Sequence, residues 1–224
     1  MVVGAAPRRR ANCVTAQEAV PDSVELEERG QTKAELTRRR ILDAAAKVFR
    51  ARGFVGARLI DIAAEAGLQA GSLYYHFESR EALVEEVMWA GQQSTEQYVR
   101  QRLGVLAPDA PPLLRLRTAI QAHLLAVLSI TDATSASIKM IGQVPPDIRE
   151  RLLAGQRAYG DLWRELLSDA RASGALRDDV DLSIVRMVIL GALNWSVEWY
   201  HAEEGHPEKI AADMAAVMLD GLAR

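Results

Sequence analysis

The chain has 224 residues, of which 49% are hydrophobic and 25% are charged, and its formal net charge is −3. This balance is typical of a globular protein, and the length allows one or two domains whose core needs no disulfide or structural metal. The single cysteine, Cys13, excludes an intrachain disulfide or a cysteine-based zinc site, so a reducing cytoplasm is expected.

Neither a membrane span nor an export signal is expected. The longest apolar run, residues 187–193, is much shorter than the roughly 20 residues that a spanning helix needs. Three arginines at 8–10 are followed by no apolar stretch. Residues 1–30 are polar and lack periodicity, which predicts a disordered tail. Two interpretations of residues 8–10 stay open: a solvated tail, or an arm that contacts DNA.

Ordered structure is predicted to begin at Thr32, because Thr32 and Glu35 match the Ser/Thr-x-x-Glu capping box. Apolar residues recur at helical spacing from Ile41 to Phe49, which predicts an amphipathic helix closed by Gly53. Its polar side carries six basic residues: Arg38, Arg39, Arg40, Lys47, Arg50 and Arg52. They form either a solvated face or, for one or two of them, contacts with phosphate.

Residues 61–77 predict two short helices joined by a tight turn at Gly67, where a positive φ favours glycine. The first helix is expected over about 58–65 and the second over about 70–77. Leu73 and Phe77 would face inward. Hydrogen-bonding side chains would face outward from the second helix, which fits the recognition element of a helix-turn-helix. Residues 31–80 carry nine Lys/Arg and five Asp/Glu, so the positive charge lies where a polyanion would bind.

The rest of the chain predicts further helices and no strand. Ser79 is expected to cap a helix that ends near Leu103, and Asp181 to cap another. The expected helices lie at about 79–103, 113–129, 134–142, 146–173, 182–203 and 207–222. The last two are too apolar to be covered within one chain, so they are expected to form a dimer interface. The prediction is an all-α protein with a three-helix head at 31–80 and a helical body at 81–224.

Several motifs in residues 37–83 resemble the TetR family of bacterial transcriptional regulators. These motifs are RRILDAA at 39–45, FRARGF at 49–54, DIA at 61–63, GL at 67–68, GSLYYHF at 71–77 and SREAL at 79–83. The resemblance implies a head that binds operator DNA and a body that holds a small ligand. Beyond residue 83 the resemblance is only architectural.

Carried over by position, the resemblance implies that Gln69, Ala70 and Ser72 face base edges. It also implies that Tyr74, His76 and Arg80 hold phosphates, with Tyr75 as a further candidate. The chain departs from the family at three places. Ala57 and Arg58 stand where threonine usually opens the second helix, and the lost N-cap would cost about 1 kcal/mol. Arg58 could supply a phosphate contact of its own, and Arg80 replaces a common lysine. Ala70 could make only apolar contact, for example with a thymine methyl.

The body contains six candidate ligand-binding residues: His123, Met140, Trp163, Asn194, Trp195 and Glu198. Asn194 and Glu198 lie one turn apart on a helix expected to be buried, so each would need a partner or a ligand. Residues 193–200 resemble regulators that sense acyl-CoA or fatty-acid-like compounds, and a drug-like hydrophobic ligand stays open. No cofactor or metal is expected.

Two other classes of function are the alternatives. No pair of histidines has the metal-binding spacing His-x-x-x-His and no glycine-rich phosphate loop occurs, which argues against an enzyme. An all-helical binding or scaffold protein without DNA binding conflicts with the basic head. The expectation is therefore a dimeric, ligand-responsive repressor with two DNA-binding heads. Ligand would change the separation of the heads through the helix that starts at Ser79.

Overall fold

The computed structural model describes residues 32–201 and 206–222. The chain divides into two compact units, Met1–Leu36 and Thr37–Arg224. The predicted tail at 1–30 and its arginine cluster lie outside the described residues, as do residues 202–203 of the predicted helix 182–203. A domain boundary at residue 80 stays a prediction.

The described residues form ten α-helices and no β-strand. The helices are α1 (Lys33–Gly56), α2 (Leu59–Glu65), α3 (Ala70–His76), α4 (Arg80–Gly104), α5 (Pro112–Leu125), α6 (Asp132–Met140), α7 (Pro146–Gly155), α8 (Arg157–Ala172), α9 (Leu182–Trp199) and α10 (Pro207–Asp220). A π-helical turn, Ala126–Ile130, continues α5. The all-α prediction is confirmed.

The helix starts predicted from Thr32, Ser79 and Asp181 agree with the structure, and each rests on a local hydrogen bond. The Glu35 N–H donates to Thr32 Oγ1 at 3.3 Å, and the Thr32 N–H donates to the Glu35 carboxylate at 2.6 Å. Ser79 Oγ accepts from the Ala82 N–H at 3.0 Å. The Asp181 carboxylate accepts from two backbone N–H groups at the start of α9, which lowers its pKa.

Two hydrophobic cores lie within residues 37–222. The first, here called the head core, is shared by α1–α3, the first half of α4 and the helices α6 and α7. Its large buried residues include Ile41, Phe49, Ile62, Leu73, Phe77, Leu83, Met88, Met140 and Ile148. The second, the body core, lies among α4, α5, α8, α9 and α10. It includes Val99, Leu116, Ile120, Trp163, Leu167, Ile189, Leu193 and Ala215.

The helix predicted over 146–173 is in fact two helices. Gln156 ends α7 and also begins α8. Gly155, just before the break, packs so closely on Trp89 that a Cβ at this position would lie 1.9 Å from the indole ring. The break therefore coincides with a tertiary contact with α4, which the local pattern does not contain.

The contact between α4 and α6 is made through backbone. A Cβ on Gly91 would lie 2.3 Å from the carbonyl oxygen of Ala133. The Gly91 carbonyl also accepts hydrogen bonds from the hydroxyls of Thr95 at 3.0 Å and Thr134 at 3.4 Å. Glycine at position 91 therefore allows the two helices to approach without an intervening side chain.

One described helical stretch, Pro112–Ile130, is long and apolar enough to cross a membrane by length and composition, with a mean hydropathy of 1.3. Core helices of soluble proteins pass the same test. Leu116, Ile120 and Leu124 of this stretch are buried in the body core. The stretch is therefore weak evidence for a membrane span.

Helix α9 has an apolar outer face that the described residues do not cover. Its exposed large side chains are Ile184, Met187, Val188, Trp195 and Trp199. Val217 on α10 is also 77% exposed. Ala215, in contrast, is fully buried in the body core.

Candidate nucleic-acid interface and buried polar cluster

Helix α3 presents one polar face outward and one apolar face inward. Leu73 is buried in the head core, and Ala70 is half-buried against the same core. Gln69 precedes the helix with extended backbone, and its side chain is exposed together with that of Ser72. The orientation of α3 is therefore fixed from its inner side while its outer side stays accessible.

Both tyrosines of α3 point outward. Tyr74 is 62% exposed and Tyr75 is 85% exposed. Ala70, Leu73 and Phe77 occupy the inner stripe instead. Tyr75 makes an edge-to-face contact with His76, with 5.1 Å between ring centroids.

Gly71 lies on the outward face of α3 and was not among the predicted site residues. A Cβ at this position would meet no atom within 4 Å, so packing within the chain does not require glycine. Gly71 lies one helical turn before Tyr75, and this spacing in the sequence indicates that both residues share the outward face. A missing side chain here leaves room for close approach of another molecule to the helix backbone.

The turn between α2 and α3 has the predicted left-handed glycine. Gly67 has φ of 66°. Its N–H donates to the Ala64 carbonyl at 3.1 Å, and the Leu68 N–H donates to the Ala63 carbonyl at 2.8 Å. Arg40 reaches this turn from α1 and donates to the Ala66 carbonyl at 2.7 Å. These bonds satisfy carbonyls that a helix end otherwise leaves free.

Most of the basic side chains on α1 are used inside the chain. Arg38 pairs with Glu86, Arg40 binds the turn, Lys47 pairs with Glu65 at 3.2 Å, Arg50 pairs with Asp132 at 2.5 Å and Arg52 pairs with Asp61 at 2.5 Å. Within the described residues, Arg39 is the one member of the six with neither an ion pair nor a side-chain hydrogen bond. The sequence predicted that this face is solvated or contacts phosphate. It did not reveal these partners, which lie between 9 and 82 residues away along the chain.

The two arginines predicted to contact phosphate have different surroundings. Arg58 is exposed and occupies the N-cap position of α2, and its side chain makes no capping hydrogen bond. Arg80 lies over the Phe54 ring, 4.1 Å from its centroid, and donates to the Phe54 carbonyl. Arg80 therefore has one of its guanidinium nitrogens bound within the chain.

A buried polar cluster joins α5, α8 and α9. Nδ1 of His123 lies 2.7 Å from the Tyr159 hydroxyl, and Nε2 lies 3.0 Å from Oδ1 of Asn194. Because the amide oxygen only accepts, Nε2 carries the proton and Nδ1 accepts from Tyr159. The His123 ring stacks on Tyr159 and meets Trp163 edge-to-face at 5.8 Å. Three of the six ligand candidates are thus brought together.

All members of this cluster are uncharged near neutral pH. Burial lowers the pKa of His123 to about 4, against the opposing effect of its hydrogen bond with Asn194. Burial also raises the pKa of Tyr159. Tyr159 was not among the predicted ligand residues, although it lies one helical turn before Trp163. The cluster therefore offers neutral hydrogen-bonding groups inside an apolar body.

The other three ligand candidates lie elsewhere. Met140 is buried in the head core, away from the body core that contains Trp163. Trp195 is 66% exposed on the outer face of α9, and Glu198 is exposed. Glu198 is exposed because the described residues cover α9 on its inner side only, so its burial stays a prediction that depends on the dimer. Asn194, by contrast, has the partner it was expected to need.

Two further features of the body could bear on ligand binding. Both amide atoms of Gln92 on α4 are buried without a hydrogen-bond partner among the described residues. An open groove of about 670 Å³ lies along α7 and the turn before it, and Arg149, Leu153 and Arg157 are among its lining residues. None of the six ligand candidates lines this groove.

A two-helix unit with an accessible second helix, joined to a helical body, defines a helix-turn-helix regulator. Residues 41–87 match the family described as bacterial regulatory proteins, tetR family. Residues 109–222, half of the chain, match the tetracyclin repressor-like C-terminal domain. The chain belongs to the TetR family of transcriptional regulators, as the sequence motifs implied. Regulators of this family are not enzymes.

Similar proteins cover most of the chain. The HTH-type transcriptional repressor KstR2 of Rhodococcus jostii is 25% identical over 196 residues, which are 83% of this chain and 91% of the relative. KstR2 of Mycolicibacterium smegmatis is 29% identical over 196 residues, covering 82% and 89%. The structure of AibR in complex with isovaleryl coenzyme A and operator DNA has a TM-score of 0.72 and 26% identity, covering 81% and 97%. KstR2 of Mycobacterium tuberculosis, at 24% identity and a TM-score of 0.72, covers 87% and 98% and supports the fold.

Proposed function

We propose that this chain is a cytoplasmic, homodimeric repressor that binds a pseudo-palindromic operator and is released by a small hydrophobic effector. The observation that carries the proposal is the outer face of α3. Two exposed tyrosines stand on a helix whose inner side is held in the head core. Such a helix can enter a major groove without disturbing the core.

In this proposal, Gln69, Gly71 and Ser72 approach base edges, and Ala70 contributes at most an apolar edge because it is half-buried. Phosphates are contacted from the outer end of α3 by Tyr74, Tyr75 and His76. Arg58 takes a phosphate at the start of α2. We assign Arg80 a supporting role, since its guanidinium is bound to Phe54.

DNA binding is tested with duplexes selected from a random pool by the purified protein. The logarithm of the association constant should fall linearly with the logarithm of salt concentration, because phosphate contacts release counterions. A flat dependence, or no selected duplex, would instead favour a helical binding or scaffold protein. Tyr74→Phe removes one hydroxyl and should weaken binding about fivefold, equivalent to about 1 kcal/mol. Tyr98→Phe, in the body, is the matched control and should bind like the unmodified protein.

The proposed dimer forms through α9 and α10, supported by their uncovered apolar face. Val217→Asp should convert the dimer to a monomer in analytical ultracentrifugation. Leu114→Glu places a charge on an exposed leucine of α5 and should leave the dimer intact. A charge at Ala215 is unsuitable as a test, because that side chain lies in the body core of its own chain. A monomeric unmodified protein would overturn the dimer.

The effector is proposed to be an acyl-CoA or a fatty-acid-like compound, with a drug-like hydrophobic molecule as the alternative. AibR supports the first class, since its structure contains isovaleryl coenzyme A. The polar cluster of His123, Tyr159 and Asn194 supports an effector that presents an uncharged polar group to the body. Thermal shift with isovaleryl-CoA, free coenzyme A and isovalerate separates these possibilities. A compound that raises the melting temperature should also release the selected duplex, and stabilisation without release would contradict its role as effector.

A further inference from the structure

The C-terminal part of α1 is attached to the body at both ends of α6. At the start of α6, Asp132 pairs with Arg50 at 2.5 Å. Just beyond its end, Gln143 hydrogen-bonds to the backbone of Phe54. We propose that Gln143 is a positioning residue that sets the orientation of the DNA-binding head relative to α6. The two contacts together are here called the α6 clasp. The inference rests on the proposed function, because it concerns how the body controls the head.

The Gln143 side chain is fixed by two hydrogen bonds of opposite polarity. Its Oε1 accepts from the Phe54 N–H at 3.0 Å, and its Nε2 donates to the Lys139 carbonyl at 3.1 Å. The second bond ties the amide to the last turn of α6 itself. Since oxygen and nitrogen each meet the group they require, only one orientation of the amide satisfies both. The head and α6 are thus joined through one ordered side chain.

The backbone of α1 is shaped to receive this side chain. Gly53 has φ of 67°, which breaks the helical conformation within α1 and frees the Phe54 N–H. A Cβ on Gly53 would lie 2.7 Å from Oε1 of Gln143. Glycine is therefore favoured by the backbone conformation, and a Cβ at this position would displace the Gln143 amide. The break at Gly53, where the helix was predicted to end, thus provides the backbone N–H that Gln143 of the body binds.

The ionic contact at the other end is of a different kind. The Arg50 and Asp132 side chains are 53% and 29% exposed, so the pair contributes little stability and is screened by salt. The Gln143 contact involves no formal charge and is insensitive to salt. Raising the salt concentration therefore weakens one end of the α6 clasp and leaves the other end intact.

The α6 clasp gives α6 a direct hold on the head that is separate from the covalent connection through α4. Helix α6 also packs on the backbone of α4 at Gly91. Any change in the body that shifts α6 must therefore move the end of α1 with it, or break Gln143 from Phe54. Because Gln143 is exposed, its loss should affect head orientation much more than folding.

Distances between two spin labels, measured by pulsed electron paramagnetic resonance, test the proposal without DNA or effector. Spin labels are placed at Glu78→Cys in the head and Glu165→Cys on α8 in a Cys13→Ser background. Labelled protein is diluted into unlabelled protein, so that only distances within one protomer are recorded. Gln143→Ala and the near-isosteric Gln143→Met should both broaden the head-to-body distance distribution. Gln101→Ala, an exposed glutamine on α4, should leave it unchanged.

Salt provides a second measurement. In 1 M NaCl, where the Debye length is about 3 Å, the Gln143→Ala distribution should broaden further, because the Arg50–Asp132 pair, the remaining polar contact of the α6 clasp, is then screened. The unmodified protein should change little. Gln143→Ala and Gln143→Met distributions that both match the unmodified protein at low and high salt would overturn the proposal. If the Gln143 variants broaden the distance distribution but the unmodified protein selects no duplex, the α6 clasp would be retained and the proposed DNA binding rejected.

Discussion

The protonation of His123 should make folding stability depend on pH in a window where few other groups contribute. His123 is buried, and its pKa is lowered from 6.5 to about 4. Its folded pKa lies below its unfolded pKa, so the unfolded chain binds the proton more tightly. Stability is therefore complete above about pH 7 and is lost as the pH falls from 6.5 toward 4.

The magnitude follows from linkage. A shift from 6.5 to about 4 corresponds to roughly 3 kcal/mol at full protonation, and roughly 1.4 kcal/mol of this is lost by pH 5.5. At pH 5.5 the carboxylates with lowered pKa values, such as Glu85 and Asp181, remain ionised in both states. The change between pH 8 and pH 5.5 is therefore assigned mainly to His123.

Urea unfolding followed by tryptophan fluorescence measures this change, at one protein concentration because dimerisation would also affect stability. His123→Gln keeps a neutral hydrogen-bonding side chain and should lose most of the pH dependence, even if its stability at pH 8 is lower. His206→Gln, on an exposed histidine, should keep the dependence of the unmodified protein. Equal loss of stability between pH 8 and pH 5.5 in His123→Gln and the unmodified protein would refute the assignment.

Three further changes test the packing and the caps by urea unfolding. Gly91→Ala should destabilise by at least about 2 kcal/mol, because its Cβ would meet the Ala133 backbone, whereas Gly104→Ala on the same helix, with open space, should be neutral or stabilising. Asp181→Ala removes the α9 cap and should cost about 1 kcal/mol, with Asp109→Ala, at an exposed aspartate outside the helices, as the control; no loss would show that the cap hydrogen bonds are unimportant. Arg40→Ala leaves the Ala66 carbonyl without its side-chain donor and should cost about 1 kcal/mol, while Arg39→Ala should cost almost nothing; equal effects would contradict the distinct role of Arg40.

The parts of the fold that depend on neighbouring residues were predictable from the sequence. Thr32, Ser79 and Asp181 cap helices because each side chain bonds to an N–H within three residues of itself. Gly67 and Gly174 adopt positive φ at helix ends, where no other residue does so at low cost. The helix-turn-helix was predictable for the same reason, since its turn and inner stripe lie within 17 residues.

The contacts that the sequence did not reveal join residues far apart in the chain. His123 and Asn194 are 71 residues apart, and Arg50 and Asp132 are 82 apart. No local pattern distinguishes an arginine that will meet a carboxylate from one that will meet water. The break at Gln156 belongs to the same group, because it lies where the indole of Trp89 packs against Gly155, a contact between residues far apart in the chain.

The close approach at Gly91 has a mechanical consequence. Side chains between two helices can change rotamer and so absorb small shifts, but peptide groups in direct contact have no such freedom. At this point α4 and α6 have no deformable layer between them. They should therefore move together as one rigid unit about residue 91. A displacement of either helix should then be transmitted in full to the head.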